Sequence, residues 1–426
     1  MYDSLYIITL ISAFLVNFNI LRAECPSVLQ LDLNSVNHAD MPNSNDKLGV
    51  PVLLGECDAL LVFSPIIEKK GDASIAAKLY RKGDEKETTY VVIPKDQLVA
   101  CMVSGECLYY TPKVYKLILL PFAKELEGVQ NIYYVPCEAL SKVALEYCID
   151  MEGKMLCEKY NVFRLSSPSV FVSRGSRKKY NRISIWGGID FYSDLAGITH
   201  YVYSDTTRIA KFPLGYLDES YRAAKIINEE VLLQGVKSSF YCDGAATEKR
   251  FKSEQWNNVD VCFIETHGVF HDNLVDMSTR ERFNPMENHA LALAGASYVL
   301  EGGIVPDSID DGILTAKEIS ELDMRNVDLA IVSACKSAKG EIREDGVYGL
   351  MRGFKQAGVR SLIMATDDIV DYVSGQLWIQ FFRNILKGMT KREALLEGLK
   401  YVRTMDDSAF SHPKYWTPFI LIDGIE

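Results

Sequence analysis

The feature that most constrains the fold is an alternation of apolar runs and amphipathic stretches that continues from residue 114 to residue 426. Runs such as VDVCFIET (259–266) and VDLAIVSA (327–334) have no polar face, whereas stretches such as LTAKEISELD (314–323) show helical periodicity. Strands that are apolar on both faces must be covered on both sides. The pattern therefore predicts a three-layer α/β/α fold with a mostly parallel sheet.

Upstream of this pattern, residues 52–109 contain three short runs that end at Gly, Pro or charged residues: DALLVFSP, SIAAKLYR and TTYVVIP. Runs of this kind are typical of β-strands. We therefore predict a small strand-rich region over 52–109 that precedes the α/β domain over 110–426. Residues 24–51, rich in Asn, Asp and Ser and without periodicity, are interpreted as a linker.

The first 23 residues resemble an export signal. Residues 5–16 form an uncharged run of 12, which is too short to span a bilayer but suits the core of a signal peptide, and Ala23 suits a cleavage site. The run has no Lys or Arg before it and follows Asp3, where a positive charge is expected. We interpret residues 1–23 as a signal peptide of a periplasmic or extracellular protein. The alternative is an uncleaved first strand or membrane tether, and then a cytoplasmic location.

Charge and cysteine usage exclude several classes of function. The chain has 46 basic and 57 acidic residues, a net charge of −11, and no basic run that could follow a phosphate backbone, so nucleic-acid binding is disfavoured. The ten cysteines stand singly, without a Cys-x-x-Cys pair, which argues against zinc. In an exported chain, some of the seven cysteines up to Cys157 can form disulfides, and the sequence leaves the pairing open.

Two apolar strands end in reactive side chains. His267 and Gly268 follow VDVCFIET, and Cys335 follows VDLAIVSA. In a parallel sheet the carboxyl ends of the strands meet at one edge, where functional groups collect. A thiolate is a nucleophile, an imidazole can move its proton, and a glycine lets the backbone approach a substrate carbonyl. The sequence therefore predicts a Cys–His pair at this edge.

Several linked motifs, in order, resemble one known family over residues 110–426. They are NIYYVPCEAL, LCEKYNVFRLSSPSV, IWGGIDFY, FIETHG, HALALAGAS, DDGILTAKEISELDM, SACKSAKGEIREDGVYGLMRGFKQAGVRSLIM and HPKYWTPFIL. They are similar to the landmarks of CHAT-domain proteins. This caspase-like peptidase family is related to separases and caspases and is named for its frequent association with tetratricopeptide repeats. The resemblance implies a caspase-like fold.

The resemblance also implies an activity. His267 matches the catalytic histidine of the family and Cys335 its nucleophile, and the backbone N–H groups of Gly268 and Cys335 match its oxyanion hole. The implied enzyme is a cysteine endopeptidase that hydrolyses a protein or peptide substrate through a thioester acyl-enzyme and needs no metal or organic cofactor. Two alternatives remain open: a catalytically silent binding or regulatory module with the same fold, and a protease that an activating protein partner switches on.

Two positions depart from the family pattern. Many relatives have Ala where Glu265 stands, and we expect a solvated or structurally paired carboxylate there rather than one that orients His267. The strand RSLIM is followed here by an acidic segment that contains Asp367 and Asp368, in a loop that borders the substrate pocket in caspase-like folds. These two aspartates are candidates for selecting a basic P1 side chain. Lys336 and Lys339, which flank Cys335, are expected to favour its thiolate.

Overall fold

The computed structural model describes eleven stretches of the chain: 53–67, 73–83, 89–103, 108–173, 179–193, 214–270, 284–301, 305, 309–343, 346–405 and 409–426. All of them fall within one compact unit, Lys47–Glu426. The signal peptide expected over 1–23 and the linker expected over 24–51 lie outside the described residues. No helix in the described stretches is both long enough and apolar enough to cross a bilayer.

The strands are numbered in chain order. They are β1 Asp58–Ile67, β2 Ala73–Tyr80, β3 Thr89–Pro94, β4 Asn131–Val135, β5 Asn161–Arg164, β6 Arg182–Ile189, β7 Lys237–Asp243, β8 Val261–Glu265, β9 Gly268–Phe270, β10 His289–Ala292, β11 Ile313–Thr315, β12 Leu329–Ser333, β13 Gly340–Arg343, β14 Gly346–Gly349, β15 Ser361–Ala365 and β16 Phe419–Ile422.

The α-helices are numbered in the same way. They are α1 Lys95–Val103, α2 Lys113–Ile118, α3 Leu156–Lys159, α4 Asp218–Leu233, α5 Glu248–Ser253, α6 Ala296–Leu300, α7 Ala316–Ser320, α8 Leu350–Gln356, α9 Asp371–Leu386 and α10 Lys391–Thr404.

Eleven strands form one sheet in the order β3-β2-β1-β4-β5-β16-β15-β12-β8-β6-β7. From β15 to β7 every neighbouring pair is parallel, so the carboxyl ends of β15, β12, β8 and β6 share one edge, which we call the carboxyl rim. β16 runs antiparallel to β15. The mostly parallel α/β architecture predicted from the sequence is confirmed.

The central strands are buried along their whole length because they are apolar on both faces. Every residue of β8, β12 and β15 is buried. On one face, Phe263 of β8 packs against Trp378 of α9, with 6.2 Å between the ring centroids. A large apolar side chain that is fully buried contributes roughly 1.5–3 kcal/mol to stability. This packing fixes α9 directly over the two strands that lead to the candidate site.

Helices cover both faces of this half of the sheet. On β6, a Cβ atom at Gly187 would lie 2.9 Å from Ala224 of α4, whereas Trp186 points to the other face and packs against Phe251 of α5, with 5.0 Å between the rings. On the α5 side, Lys252 forms an ion pair of 2.7 Å with Glu318 of α7. The two helix layers and the sheet give the three-layer arrangement.

Local sequence signals define the ends of several helices. At the start of α10, Thr390 Oγ1 accepts a hydrogen bond from the N–H of Glu393 at 3.2 Å, and the Glu393 carboxylate accepts one from the N–H of Thr390 at 2.9 Å. Thr315 and Glu318 form the same capping box at α7. The first turn of α4 is capped from another helix: Asp371 of α9 accepts hydrogen bonds from the N–H groups of Glu219 and Ser220, at 3.0 and 3.1 Å.

The strand-rich N-terminal region is part of the same sheet. β2 is antiparallel to both of its neighbours, β1 and β3, but β1 also pairs in parallel with β4, and β4 with β5. Two smaller elements lie outside the large sheet: a three-stranded sheet in the order β11-β10-β9 and a hairpin of β13 and β14. Both follow strands that end at the carboxyl rim.

Candidate active site

Hydrogen bonds to two neighbouring elements fix the backbone around His267. The N–H of Thr266 donates to the carbonyl of Ser333 at the end of β12, at 3.0 Å. The Thr266 hydroxyl donates to the carbonyl of Ala292 at 2.5 Å, and the N–H of Ala292 donates to the carbonyl of His267 at 3.0 Å. The end of β8 is therefore held between β12 and the small sheet, and the imidazole stands at the carboxyl rim.

The imidazole of His267 is oriented by a main-chain carbonyl. Its Nε2 lies 2.7 Å from the oxygen of Gly215, three residues before α4 begins, and its ring lies 5.0 Å from the ring of Phe191. A carbonyl oxygen only accepts hydrogen bonds, so Nε2 is the nitrogen that carries the proton. In the neutral imidazole Nδ1 is then the nitrogen with a lone pair, and it is the one that can take a proton.

Cys335 lies two residues after β12 and is half-buried. Its Sγ accepts a hydrogen bond from the N–H of Ile369 at 3.5 Å and lies 3.8 Å from the Ile369 carbonyl oxygen. The chain then turns sharply at Lys336, whose φ of 54° lies in the left-handed region. The N–H of Lys336 donates to the carbonyl of Asp367 at 3.0 Å, so the loop after β15 holds both the thiol and the turn that follows it.

The two strand ends meet at Gly268. A Cβ atom on Gly268 would lie 2.5 Å from the carbonyl oxygen of Cys335 and 2.6 Å from the ring of Phe270. No side chain fits in this space, and this close approach explains the glycine better than any special backbone angle. His267, Gly268 and Cys335, which the sequence singled out, are therefore brought together at one edge.

The thiol of Cys335 is not pre-ionised. Burial raises its pKa, and the charge of Asp368 raises it further, against the opposing effects of the Ile369 N–H and of Lys336. Lys336 thus acts in the expected direction, but the net shift is opposite to the expected stabilisation of the thiolate. A group that removes the proton is needed before the sulfur can attack.

Asp367 and Asp368 lie in the exposed loop beside Cys335, as expected from their position after β15. Asp368 Oδ2 forms an ion pair of 2.6 Å with Lys336 Nζ. Asp367 Oδ1 accepts a hydrogen bond from the N–H of Asp368 at 2.9 Å. A basic substrate group that used Asp368 would therefore replace Lys336.

Glu265 is not solvated: it is only 2% exposed, and its Oε1 accepts a hydrogen bond of 3.1 Å from the hydroxyl of Ser333. It makes no hydrogen bond to His267 in the described part of the chain. Of the two environments expected from the sequence, the structure therefore shows a structurally paired side chain and not a solvated one.

The sequence did not indicate the two main-chain partners of the site. The carbonyl of Gly215 orients His267, and the amide of Ile369 contacts Cys335. Every residue has a backbone carbonyl and every residue except proline has an N–H group, so no residue type could have marked them. The described stretches contain no group of three or more His, Cys, Asp or Glu side chains placed to hold a metal ion. Eight of the ten cysteines are described, each as a free thiol.

A mostly parallel α/β/α sheet with an imidazole and a thiol at the ends of adjacent central strands is the arrangement implied by the caspase-like resemblance. The family model described as the CHAT domain matches residues 110–423, most of the chain. The chain therefore belongs to the CHAT-domain family.

Individual relatives match much less of the chain. Tetratricopeptide repeat protein 28 from Mus musculus is 31% identical over 110 residues, and its Homo sapiens counterpart is 29% identical over 110 residues. Each match covers 26% of this chain and 4% of the relative, so the chain spans only a small part of these proteins.

Two solved structures are distantly similar. The Arg-specific cysteine proteinase gingipain R has 9% sequence identity and a TM-score of 0.42, over 73% of this chain and 67% of that one. A complex of the pro- and mature domains of RgpB from Porphyromonas gingivalis has 10% identity and a TM-score of 0.38, over 78% and 71% of the two chains.

Proposed function

We propose that this protein is a cysteine endopeptidase with a Cys335–His267 dyad. The observation that carries the proposal is the contact between Gly268 and the carbonyl of Cys335, because it brings together the ends of the two strands that bear the reactive groups. The hydrogen bond from His267 Nε2 to the Gly215 carbonyl supports it, because it leaves Nδ1 as the proton acceptor. Nucleophile, base and a group that orients the base are the parts that such chemistry requires.

In the proposed reaction, His267 Nδ1 takes the proton of Cys335 as Sγ attacks the carbonyl carbon of a peptide bond. The oxyanion that forms is stabilised by the backbone N–H groups of Gly268 and Cys335. His267 then gives its proton to the departing amine, which leaves a thioester. Water attacks the thioester as His267 takes one of its protons. The tetrahedral intermediate then collapses, the acid product leaves, and His267 returns that proton to Sγ, which restores the thiol and the neutral imidazole. The raised pKa of Cys335 makes the first proton transfer, from Cys335 to His267, necessary.

The acidic loop supports a preference for a basic P1 residue within this proposal. Asp368 is exposed and beside the nucleophile, and it already binds one cation, Lys336 Nζ. A substrate arginine or lysine would make the same interaction. Asp367 lies next to it in the loop and adds a second negative charge.

The test is covalent labelling of the full chain with peptide electrophiles that carry Arg, Lys, Leu or Asp at P1, followed by mapping of the adduct. We expect a single adduct at Cys335 that is lost in His267→Ala and in unfolded protein. Cys57 and Cys242, which are also half-buried and free, serve as internal controls. If several cysteines were labelled in proportion to their solvent exposure, the dyad would be refuted. Turnover of a cleaved peptide should fall by roughly a thousandfold or more in Cys335→Ala.

A second candidate function is a catalytically silent binding or regulatory module. The observation that favours it is the state of the thiol, which hydrogen-bonds to Ile369 and has a raised pKa. Such a module would bind peptides equally well with Cys335→Ala and would cleave none of them. A protease that a protein partner activates would instead gain both labelling and cleavage when the partner displaces the loop at Ile369.

Export from the cytoplasm also belongs to the proposal. We propose that residues 1–23 are removed and that the mature protein begins at Glu24. N-terminal sequencing of the protein from its producing cells tests this, and a first residue at Met1 would contradict it.

A further inference from the structure

Directly beneath the candidate dyad, Glu265 and Ser333 are paired across the two strands. They are partners in the parallel register of β8 and β12, and each stands two residues before a reactive residue, His267 or Cys335. Ser333 Oγ donates to Glu265 Oε1 at 3.1 Å and accepts from Trp378 Nε1 at 2.8 Å. Trp378 belongs to α9, so this buried pair faces the helix layer that contains α9.

The surroundings of Glu265 disfavour a negative charge. Its Oε2 is buried and makes no hydrogen bond in the described stretches. The two ionisable side chains with the largest effect on it are both acidic: Asp371 of α9 and Glu219 of α4. Near their carboxyl ends, the flanking strands β6 and β12 carry no ionisable side chain, and the next titratable residues along the chain after Glu265 and Ser333 are His267 and Cys335. A buried carboxylate without a cation is costly.

A neutral Glu265 fits these surroundings. Burial is the main cause that raises its pKa to about 8, and the hydroxyls of Ser374 and Ser333 oppose the shift. The single proton of the Ser374 hydroxyl is shared between the carbonyls of Val370 and Asp371, at 3.2 and 3.0 Å, so this hydroxyl offsets a charge on Glu265 only weakly. At neutral pH Glu265 is therefore mostly a carboxylic acid.

A charge on Glu265 would act on the residue that orients His267. The Ser220 hydroxyl donates to the carbonyl of Glu265 at 3.2 Å, and Asp371 holds the N–H groups of Glu219 and Ser220 in the first turn of α4. Gly215, whose carbonyl binds His267, lies three residues before this turn. Repulsion between an ionised Glu265 and the two acids would push on the segment that positions the imidazole.

We propose that Glu265 is a positioning residue. As a neutral acid it joins the end of β8 to Ser333 and keeps His267 aligned with Cys335, and its ionisation loosens that alignment. This inference rests on the proposed function of the dyad. It assigns Glu265 no contact with substrate. It predicts that the reactivity of the dyad falls as the pH rises and Glu265 ionises.

The experiment compares wild type with Glu265→Gln, which keeps the shape and stays neutral, from pH 6 to pH 10. Two rates are measured at each pH: kcat/KM on a cleaved peptide, and alkylation of Cys335 by iodoacetamide with the adduct mapped. We expect the ratio of variant to wild type to stay near one below about pH 7 and to rise several-fold as the pH passes about 8. A ratio that is the same at every pH would overturn the proposal.

Glu248→Gln is the matched control. Glu248 is also 2% exposed and also has a pKa raised by burial to about 8, but it lies on α5, on the other face of the sheet, beside Lys252. Its ratio to wild type should show no rise across the same range. An equal rise in both variants would show that any buried carboxyl has this effect and would refute a role specific to the dyad.

Ser374→Ala keeps the test decisive if Glu265→Gln does not fold. The Ser374 hydroxyl lowers the pKa of Glu265, so its loss should move the alkaline fall in reactivity to higher pH. If the fall in reactivity began at the same pH in Ser374→Ala as in wild type, the proposal would be contradicted. The alkylation rates also separate the two hypotheses: a pH-dependent ratio without cleavage of any peptide refutes the peptidase but supports the positioning role of Glu265.

Discussion

Lys336 Nζ lies 2.6 Å from Asp368 Oδ2, and this ion pair joins the turn after Cys335 to the loop whose amide contacts the thiol. The two charges have opposite effects on the sulfur: Asp368 raises the pKa of Cys335 and Lys336 lowers it. The reactivity of the thiol therefore depends on which of the two charges is neutralised.

Neutralising either member of this pair should shift the ionisation of Cys335 in a defined direction. Asp368→Asn removes a negative charge, so the thiol pKa falls and alkylation at pH 7.5 becomes faster. Lys336→Gln removes a positive charge, so the pKa rises and alkylation becomes slower. The measurement is the pH dependence of iodoacetamide labelling at Cys335. Asp323→Asn, an exposed acid paired with Arg325 elsewhere on the surface, is the control and should change nothing.

Selectivity for a basic P1 residue should respond to the same pair. A substrate arginine competes with Lys336 for Asp368, so Lys336→Gln should raise the ratio of Arg to Leu turnover. Asp368→Asn should lower that ratio by about fivefold, the equivalent of the roughly 1 kcal/mol of an exposed ion pair. Steady-state rates on peptides that differ only at P1 measure this ratio in wild type and in each variant. If Asp367→Asn and Asp368→Asn both leave the Arg and Lys rates unchanged, the acidic loop does not select the substrate.

Gly268→Ala should damage the site through backbone displacement. The added Cβ would lie 2.5 Å from the Cys335 carbonyl, so one strand end must move. A misplacement of about 1 Å can cost about 100-fold in rate, so we expect a fall in kcat of that order with a smaller change in KM. Gly55→Ala, in the N-terminal region before β1, is the control, since its nearest neighbour would be the side chain of Asp58, at 3.2 Å. Equal kcat values in the two variants would contradict the close contact.

The sequence predicted those parts of the fold and site that depend on residue type. Apolar strands such as β8 and β12 and their alternating helices follow from local composition, and the parallel register then places His267 and Cys335 at one rim. Pairings between distant segments could not be predicted in the same way. The junction of β1 with β4, which joins the N-terminal strands to the large sheet, depends on backbone hydrogen bonds that any sequence of similar polarity can make.

The burial of Glu265 illustrates the second limit. Its position on the same face as His267 was readable from the two-residue spacing, but its environment depends on α4 and α9, which come from distant parts of the chain. The charge effects at Cys335 were only half predictable for the same reason. Lys336 is a sequence neighbour, whereas Asp368 reaches the thiol only through the fold.

A buried ion pair at the amino ends of the strands should control stability without taking part in the site. Lys391, the first residue of α10, forms an ion pair of 2.8 Å with Asp328, which immediately precedes β12, and the two side chains are 3% and 4% exposed. Lys391→Met leaves Asp328 with the Tyr180 hydroxyl at 3.0 Å and a more distant Arg360 at 3.6 Å. Removing one partner of a buried pair typically costs about 3–5 kcal/mol.

Urea denaturation measures this cost. Lys391→Met should lower the free energy of unfolding by about 3–5 kcal/mol, and a second change, Asp328→Asn, should restore part of it because the remaining charge is removed. Lys400→Met on the same helix is the control: its side chain is 69% exposed and lies 3.7 Å from Glu397, so its loss should cost less than about 1 kcal/mol. Similar losses for the two lysines would mean that the Asp328 site admits water, since only a dry environment makes the loss of the nearest cation of a carboxylate expensive.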